Sequence, residues 1–469
     1  MKIELKDPVF AQLASLAAKL QIPAFVVGGY VRDLFLNRVS KDVDIVVVGD
    51  GIKFASAFAE RMTEKTDFVV FKTFGTAMVK TADWDIEFVG ARKESYSRNS
   101  RKPAVEQGSI KDDQLRRDFT INALAISLNP EDLFELVDPF DGVMDIERQI
   151  IRTPLAPEIT FDDDPLRMMR AIRFSAQLNF DIHPETFAAI KLHAERIKIV
   201  SFERISEELN KIMQSKKPGI GFTQLFESGL LKIIFPELNA MHGVEVIKRQ
   251  AHKDNFYHTL QVLDNVCAET DNIWLRWATL LHDIGKPITK RFDIAEGGWT
   301  FHGHEDKGSR MVSRIFRQLK LPLNEKMKYV EKIVALHHRP KALAEHGVTD
   351  SAIRRLIVDA GEDLDDLFTL CRADMTSRNP EKIKLYRSNL LKVQELVREV
   401  EERDALRNWQ PPVTGEDIMK YFNINPSKEV GIIKNEIREA ILEGKIKNDF
   451  DEAMQLMIDL GLKLGLKPN

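Results

Sequence analysis

Apolar positions in residues 1–150 switch between the two spacings that distinguish helices from strands. Over residues 10–20 they recur every three to four positions, which predicts a helix with one buried face, and residues 53–62 read the same way. Residues 23–27 and 43–48 are short continuous apolar runs, predicted as buried strands, and further strand patterns fall at 76–80 and 84–89. After Arg152 the pattern changes. From Pro165 onward helical periodicity dominates, broken at Pro218-Gly219, Phe235-Pro236, Glu296-Gly297-Gly298 and Gln410-Pro411-Pro412. The expected class is α+β: a mixed sheet with helices first, then helical segments. Boundaries are expected near 150, 245 and 380, giving segments 1–150, 151–245, 246–380 and 381–469.

Composition narrows this modestly. A chain of 469 residues with 43% hydrophobic and 30% charged content is that of a multi-domain globular protein. No apolar run reaches the roughly 18–20 residues of a membrane span, and Met1–Pro8 lacks the apolar core of a signal peptide, so no membrane partner is expected and the location is read as cytoplasmic. Cys267 and Cys371 fit neither a disulfide framework nor a thiolate zinc site. A net charge of −4 gives no overall basic footprint for nucleic acid. The stretch 92–117 supplies a local one through Arg92, Lys93, Arg98, Arg101, Lys102, Lys111, Arg116 and Arg117, diluted by Glu94, Glu106, Asp112 and Asp113; it also reads as a solvated loop. No oligomeric state is legible.

The chemistry concentrates in a few passages. Gly28-Gly29 closes the first strand and lets the backbone approach a ligand at a helix start, with Arg32 one turn on, an arrangement suited to a triphosphate. Asp42 and Asp44 stand two apart on the next strand, hence on one face, where two carboxylates can hold Mg²⁺. Asp85 and Glu87 repeat the spacing; either could add a third carboxylate, or both could face solvent. Arg116-Arg117-Asp118 offers two guanidiniums for phosphate oxygens and an acceptor for a ribose hydroxyl. Asp164, Arg167, Arg170 and Arg173 follow an i, i+3 progression expected to lie along one helical face. A carboxylate acceptor beside a guanidinium donor matches the amine and ring nitrogen of cytosine and adenine, and opposes the reversed polarity of uracil and guanine. Farther on come His258, His282-Asp283, His304, His337-His338 and Asp374, in a region that holds most of the chain's 11 histidines. Imidazole with carboxylate suits Mn, Ni, Co, Fe or Zn.

The run from Gly28 through Asp42-Val43-Asp44, Arg116-Arg117-Asp118 and Asp164-x-x-Arg167 resembles bacterial class II CCA-adding tRNA nucleotidyltransferases and their relatives the poly(A) polymerases, over residues 20–240. The order His258…His282-Asp283…Asp374 resembles the HD phosphohydrolases, over residues 250–380. The resemblance implies an N-terminal nucleotidyltransferase-type mixed sheet with helices, followed by an all-α neck, HD domain and helical tail. It implies addition of C, C and A from CTP and ATP to the tRNA 3′ end, in which Asp42 and Asp44 are catalytic and hold Mg²⁺. Gly28, Gly29 and Arg32 would receive the triphosphate, Arg116, Arg117 and Asp118 the sugar and phosphates, and Asp164 and Arg167 the base, with Arg170 and Arg173 beside them. The 3′-hydroxyl would lose its proton with help from bound metal. Where class II members commonly begin the base-selecting motif with Glu-Asp, this chain has Asp163-Asp164. Segments Asp138–Gly142 and Ser201–Ile205 resemble parts that join and brace head and neck. Three alternatives stay open: a poly(A) polymerase, a partial enzyme adding CC or A alone, and an HD phosphohydrolase whose head only binds RNA.

Overall fold

The structure, a computed structural model, describes every residue except 63–65, 73–74, 98–99, 248–249, 252–253, 296–297, 347–348, 378, 405–408 and 469; the side chains of 94–97, 100–104, 246–247, 250–251 and 345–346 are likewise undescribed. Arg98 and the side chains of Arg101 and Lys102 in the basic stretch, and the break at Glu296-Gly297, therefore lie outside the described residues. The chain divides into two compact units, Met1–Asn239 and Ala240–Asn469.

The first unit is built on a seven-stranded sheet in the order Asp67–Phe71, Thr76–Lys80, Asp85–Gly90, Asp42–Val47, Ala24–Val27, Ala125–Ser127, Leu136–Val137. Only Asp42–Val47 and Asp85–Gly90 pair in parallel, with Asp42 opposite Asp85 and Asp44 opposite Glu87; the other ladders are antiparallel. Central Ala24–Val27 is buried throughout, as its unbroken apolar run requires. The predicted first helix extends to Pro8–Leu20, started by the Asp7 carboxylate accepting from the Val9 N–H. Helix Gly51–Ala59 packs its Phe54 and Phe58 rings against Phe88 at 5.9 and 5.6 Å. The exposed edge strand Asp67–Phe71 and the short Ala125–Ser127 and Leu136–Val137 gave no distinct sequence pattern. The stretch read as a solvated loop forms a hairpin, Arg92–Ser97 with Ser100–Gln107, because antiparallel pairing satisfies its backbone polar groups.

Beyond the sheet, helix Leu166–Leu178 packs on Phe202–Met213 and Pro218–Glu227, burying Met168, Ile172, Leu209, Ile212 and Phe222. The helical neck expectation needs one small correction: Ile150–Ile151 and Asp181–Ile182 pair as a two-stranded parallel ladder.

The second unit is mainly helical. Asn255–Cys267, Ile273–Leu281, His304–Gln318, Glu325–Leu336 and Leu364–Ala373 enclose Phe256, Trp277, Leu280, Phe316 and Leu367. The 25-residue helix Pro380–Asp404 follows. Helices Gly415–Phe422, Lys428–Leu442 and Phe450–Lys463 then wrap a separate core of Ile418, Phe422, Ile433, Ile437 and Met457. No described helix is long and apolar enough to cross a membrane.

Candidate active sites

Strand Ala24–Val27 delivers the chain to Gly28, which has φ +76° and starts the two-turn helix Gly29–Phe35. The space around it is closed: a Cβ at Gly28 would lie 2.9 Å from Arg117 Nη1 and 3.2 Å from Asp44 Oδ2. Glycine is thus required both by dihedral and by crowding, and the same distances bring a carboxylate of the second strand and a guanidinium of the Arg-Arg-Asp turn onto one point.

Asp42 is exposed and Asp44 partly buried, on the same strand face. Their registered partners on the parallel neighbour, Asp85 and Glu87, face the same way. The two differ in their partners: Asp85 pairs with Lys80 at 3.0 Å in an exposed position, whereas the Glu87 charge acts on Asp44. Burial pushes the Asp44 carboxyl above its usual range; Arg117 opposes this, and Glu87, Asp42 and Asp113 reinforce it. A buried carboxylate whose charge is disfavoured by the carboxylates around it is a site a divalent cation relieves, so the residues fit Mg²⁺.

The arginines are held by a residue that the motif reading passed over. Asp113, fully buried within helix Ile110–Leu115, accepts from Arg116 Nε at 2.9 Å through one oxygen and from Arg117 Nε at 3.0 Å through the other. Its i+3 and i+4 spacing to the two arginines was the available signal. A polar chain runs on from there. Arg32 donates to the Asn122 side-chain oxygen at 2.9 Å, the Asn122 amide donates to Asp118 Oδ1 at 3.2 Å, and Arg170 Nε donates to Asp118 Oδ2 at 2.7 Å. Burial works against the Asp118 charge, but Arg170, Arg167 and Asn122 outweigh it and hold the carboxyl below its usual range.

The expected single face of Asp164, Arg167, Arg170 and Arg173 is only partly realised. Pro165 keeps Asp164 extended at the end of helix Pro157–Asp163, and the next helix begins at Leu166, so only the three arginines share it. Asp164 accepts from the Leu166 N–H at 3.1 Å and lies 3.4 Å from Arg204 Nη2. Arg204, read as neck bracing, therefore reaches this carboxylate. Arg167 donates to the Arg116 carbonyl at 2.7 Å. Buried Arg173 turns toward the neck and pairs with Glu208 at 2.7 Å. The guanidiniums of Arg32, Arg170 and Arg173 lie 5.3, 5.6 and 4.0 Å from the Phe174 ring centroid, a shared aromatic contact the sequence reading missed.

The second unit assembles the histidines. His258 comes from Asn255–Cys267, His282-Asp283 follows Ile273–Leu281, His304 starts His304–Gln318, His337 ends Glu325–Leu336, and Asp374 ends Leu364–Ala373. One potential ligand group is His258, His282 and Asp283; another is Asp283, His304 and His337; within each, the ligand atoms lie within 4.8 Å. Asp374 Oδ1 is 2.9 Å from His258 Nε2 and 3.8 Å from His282 Nε2. Exposed His338 belongs to neither group, although its ring lies 5.9 Å from that of His304 and lines the same cavity as Asp283.

The imidazoles are oriented from behind. Nδ1 of His282, His304 and His337 faces the carbonyl of Thr279, Phe301 and Val334 at 2.7, 2.9 and 2.7 Å, which assigns the ring proton to Nδ1 and turns Nε2 lone pairs inward. His304 and His337 then face each other through Nε2 at 3.3 Å, and buried His282 Nε2 lies 3.3 Å from Asp283 Oδ2. Burial drives His337 down to about 3, so it is neutral at working pH. Converging lone pairs around a shared carboxylate fit divalent metal.

Residues 24–152 match the Poly A polymerase head domain, 179–241 the probable RNA and SrmB-binding site of polymerase A, and 255–386 the HD domain. An A-adding tRNA nucleotidyltransferase of Deinococcus radiodurans is 31% identical across 72% of this chain and 76% of its own. A multifunctional CCA protein of Mannheimia succiniciproducens is 33% identical across 64% of this chain and 70% of its own. In fold, the chain is similar to a CCA-adding enzyme in an apo form, with a TM-score of 0.64 at 23% identity over 98% of this chain and 96% of that one.

Proposed function

Because the chain belongs to the bacterial tRNA nucleotidyltransferase and poly(A) polymerase family, we propose that it adds C, C and A from CTP and ATP to the 3′ end of tRNA without a nucleic-acid template. The convergence of Asp44 and Arg117 on Gly28 carries this reading, since it brings a cation-binding carboxylate and a phosphate-binding guanidinium to one backbone turn. Asp42, Asp44 and Glu87 would hold Mg²⁺, which supplies positive charge for the attacking and leaving oxygens. Arg32, Arg116 and Arg117, fixed by Asn122 and Asp113, bind the triphosphate. The RNA 3′-hydroxyl attacks the α-phosphorus, pyrophosphate leaves, and the guanidiniums neutralise the charge that collects on it. Asp164 and Arg167 select the base, accepting from the exocyclic amine and donating to the ring nitrogen. Arg170 and Arg173 position this machinery through Asp118 and Glu208.

We assign 1–150 to the catalytic head, 151–245 to the neck, 246–380 to an HD phosphohydrolase centre using Mn, Ni, Co, Fe or Zn, and 381–469 to a tail, and place the work in the cytoplasm. The separate core of the last three helices supports the tail division.

The test is a tRNA transcript lacking CCA, incubated with Mg²⁺ and with CTP, ATP, both, or UTP and GTP, and resolved at single-nucleotide length. Addition of three residues requiring both CTP and ATP is expected; a long ATP-only tail would make it a poly(A) polymerase. The Deinococcus relative favours a second reading, addition of A alone, which predicts extension only on tRNA already ending in CC.

A further inference from the structure

The HD centre opens into two cavities, of about 340 and 240 Å³, that share a wall made by His337, Lys341 and Asp374. Each carries the same pair of elements. In the larger, the Lys286 ammonium, paired with Asp283 at 2.6 Å, lies 5.6 Å from the Phe301 ring centroid; in the smaller, Lys341, which lines both cavities, lies 5.8 Å from that of Tyr386. Lys382, one helical turn before Tyr386 on Pro380–Asp404, adds a second ammonium to the smaller cavity. Among the described residues neither Lys341 nor Lys382 has an ion-pair partner. Thr376 and Ser377 line the same space, and the Thr376 hydroxyl is 2.9 Å from His258 Nδ1, tying the cavity to the histidine cluster.

A phosphomonoester needs room on only one side of phosphorus. Two cavities meeting at the cluster, each with an aromatic face and a cation, suit a phosphate bearing a nucleoside on both sides, because every base offers a face to stack and lysines attract the backbone charge. We propose that the HD centre takes a linear dinucleoside phosphodiester, such as the end of an RNA strand, with one nucleoside against Phe301 and the other against Tyr386 and Lys382. This rests on the reading of the centre as a phosphohydrolase. In the reaction, water forms a new O–P bond, the P–O bond to one nucleoside breaks, and the proton lost by water ends on the departing oxygen; one water is consumed and nothing is oxidised or reduced.

The full chain, loaded with Mn²⁺, is assayed on adenylyl-(3′→5′)-adenosine and on p-nitrophenyl phosphate, with Tyr386→Ala, Tyr386→Phe and Lys382→Ala alongside the wild type. The ratio of kcat/KM for the dinucleotide to that for the monoester falls roughly tenfold in Tyr386→Ala, mostly through KM, and is restored by Tyr386→Phe. An unchanged ratio in both Tyr386→Ala and Lys382→Ala overturns the proposal. Calorimetric binding of the dinucleotide in EDTA separates the two readings. If the wild type hydrolyses neither probe, the phosphohydrolase reading fails, while binding weakened by Tyr386→Ala still upholds the cavity assignment, and absence of wild-type binding overturns it.

Discussion

Arg170 Nε donates to Asp118 Oδ2 at 2.7 Å, joining helix Leu166–Leu178 to the turn that carries Arg116 and Arg117. Asp118 is buried and Arg170 is partly exposed. Truncating the arginine strands a buried carboxylate, and removing one partner of such a pair typically costs about 3 kcal/mol or more. Arg170→Met is expected to lower stability by that amount, read from the urea midpoint, and a change under about 0.5 kcal/mol, the size of an ordinary surface substitution, would refute the coupling.

The same pair sets a pH dependence. The Asp118 carboxyl is depressed in the folded chain, so its contribution is fully present above the unfolded value of about 3.9 and is lost as pH falls through the folded one. The stability difference between wild type and Asp118→Asn should hold constant from pH 8 to 5 and shrink below about pH 4. A difference that instead grows on acidification would contradict this assignment.

At Gly28 a methyl group meets both Arg117 and Asp44, and a left-handed backbone costs a non-glycine residue roughly 1–2 kcal/mol. Gly28→Ala should therefore reduce kcat/KM for CTP by at least about tenfold, more than a 1.4 kcal/mol stability effect alone explains. Retention of activity at a lowered melting temperature would mean the crowding is merely structural.

Glu87 and Asp85 make a discriminating pair of substitutions. Glu87→Gln should raise the Mg²⁺ concentration needed for nucleotidyl transfer, whereas Asp85→Asn, whose carboxylate is held by Lys80, should leave the Mg²⁺ titration close to wild type. Asp42→Ala should abolish transfer and leave any phosphohydrolase activity in place. The reverse order of Glu87 and Asp85 would move the third carboxylate to Asp85.

For the histidine cluster the direct readout is thermal. Metal at about a hundred times its dissociation constant stabilises a folded chain by about 2.7 kcal/mol, several degrees for a unit of this size. Mn²⁺ or Ni²⁺ should raise the melting temperature of wild type, and His282→Ala should abolish the shift because its inward Nε2 is removed. His338→Ala, outside both ligand groups, should preserve it.

Sequence periodicity alone determined the buried strands 23–27 and 43–48 and the helices flanking them, because a residue's face on a strand or helix follows from spacing. It also paired Asp42 with Asp44. Only the tertiary structure decided what lies opposite. The parallel register that sets Glu87 beside Asp44 depends on a strand crossing, the burial that perturbs Asp44 and Asp118 depends on the packed core, and the partners Arg170–Asp118 and Arg204–Asp164 are joined across 52 and 40 residues of chain. The i, i+3 series of four residues broke at Asp164 because Pro165 disfavours helical backbone before it. The histidines were gathered by order in the sequence, but the inward aim of their Nε2 atoms came from carbonyls three residues back, in the last turn of a helix for His282 and His337 and just before a helix start for His304, contacts that exist only once those helices begin and stop where they do.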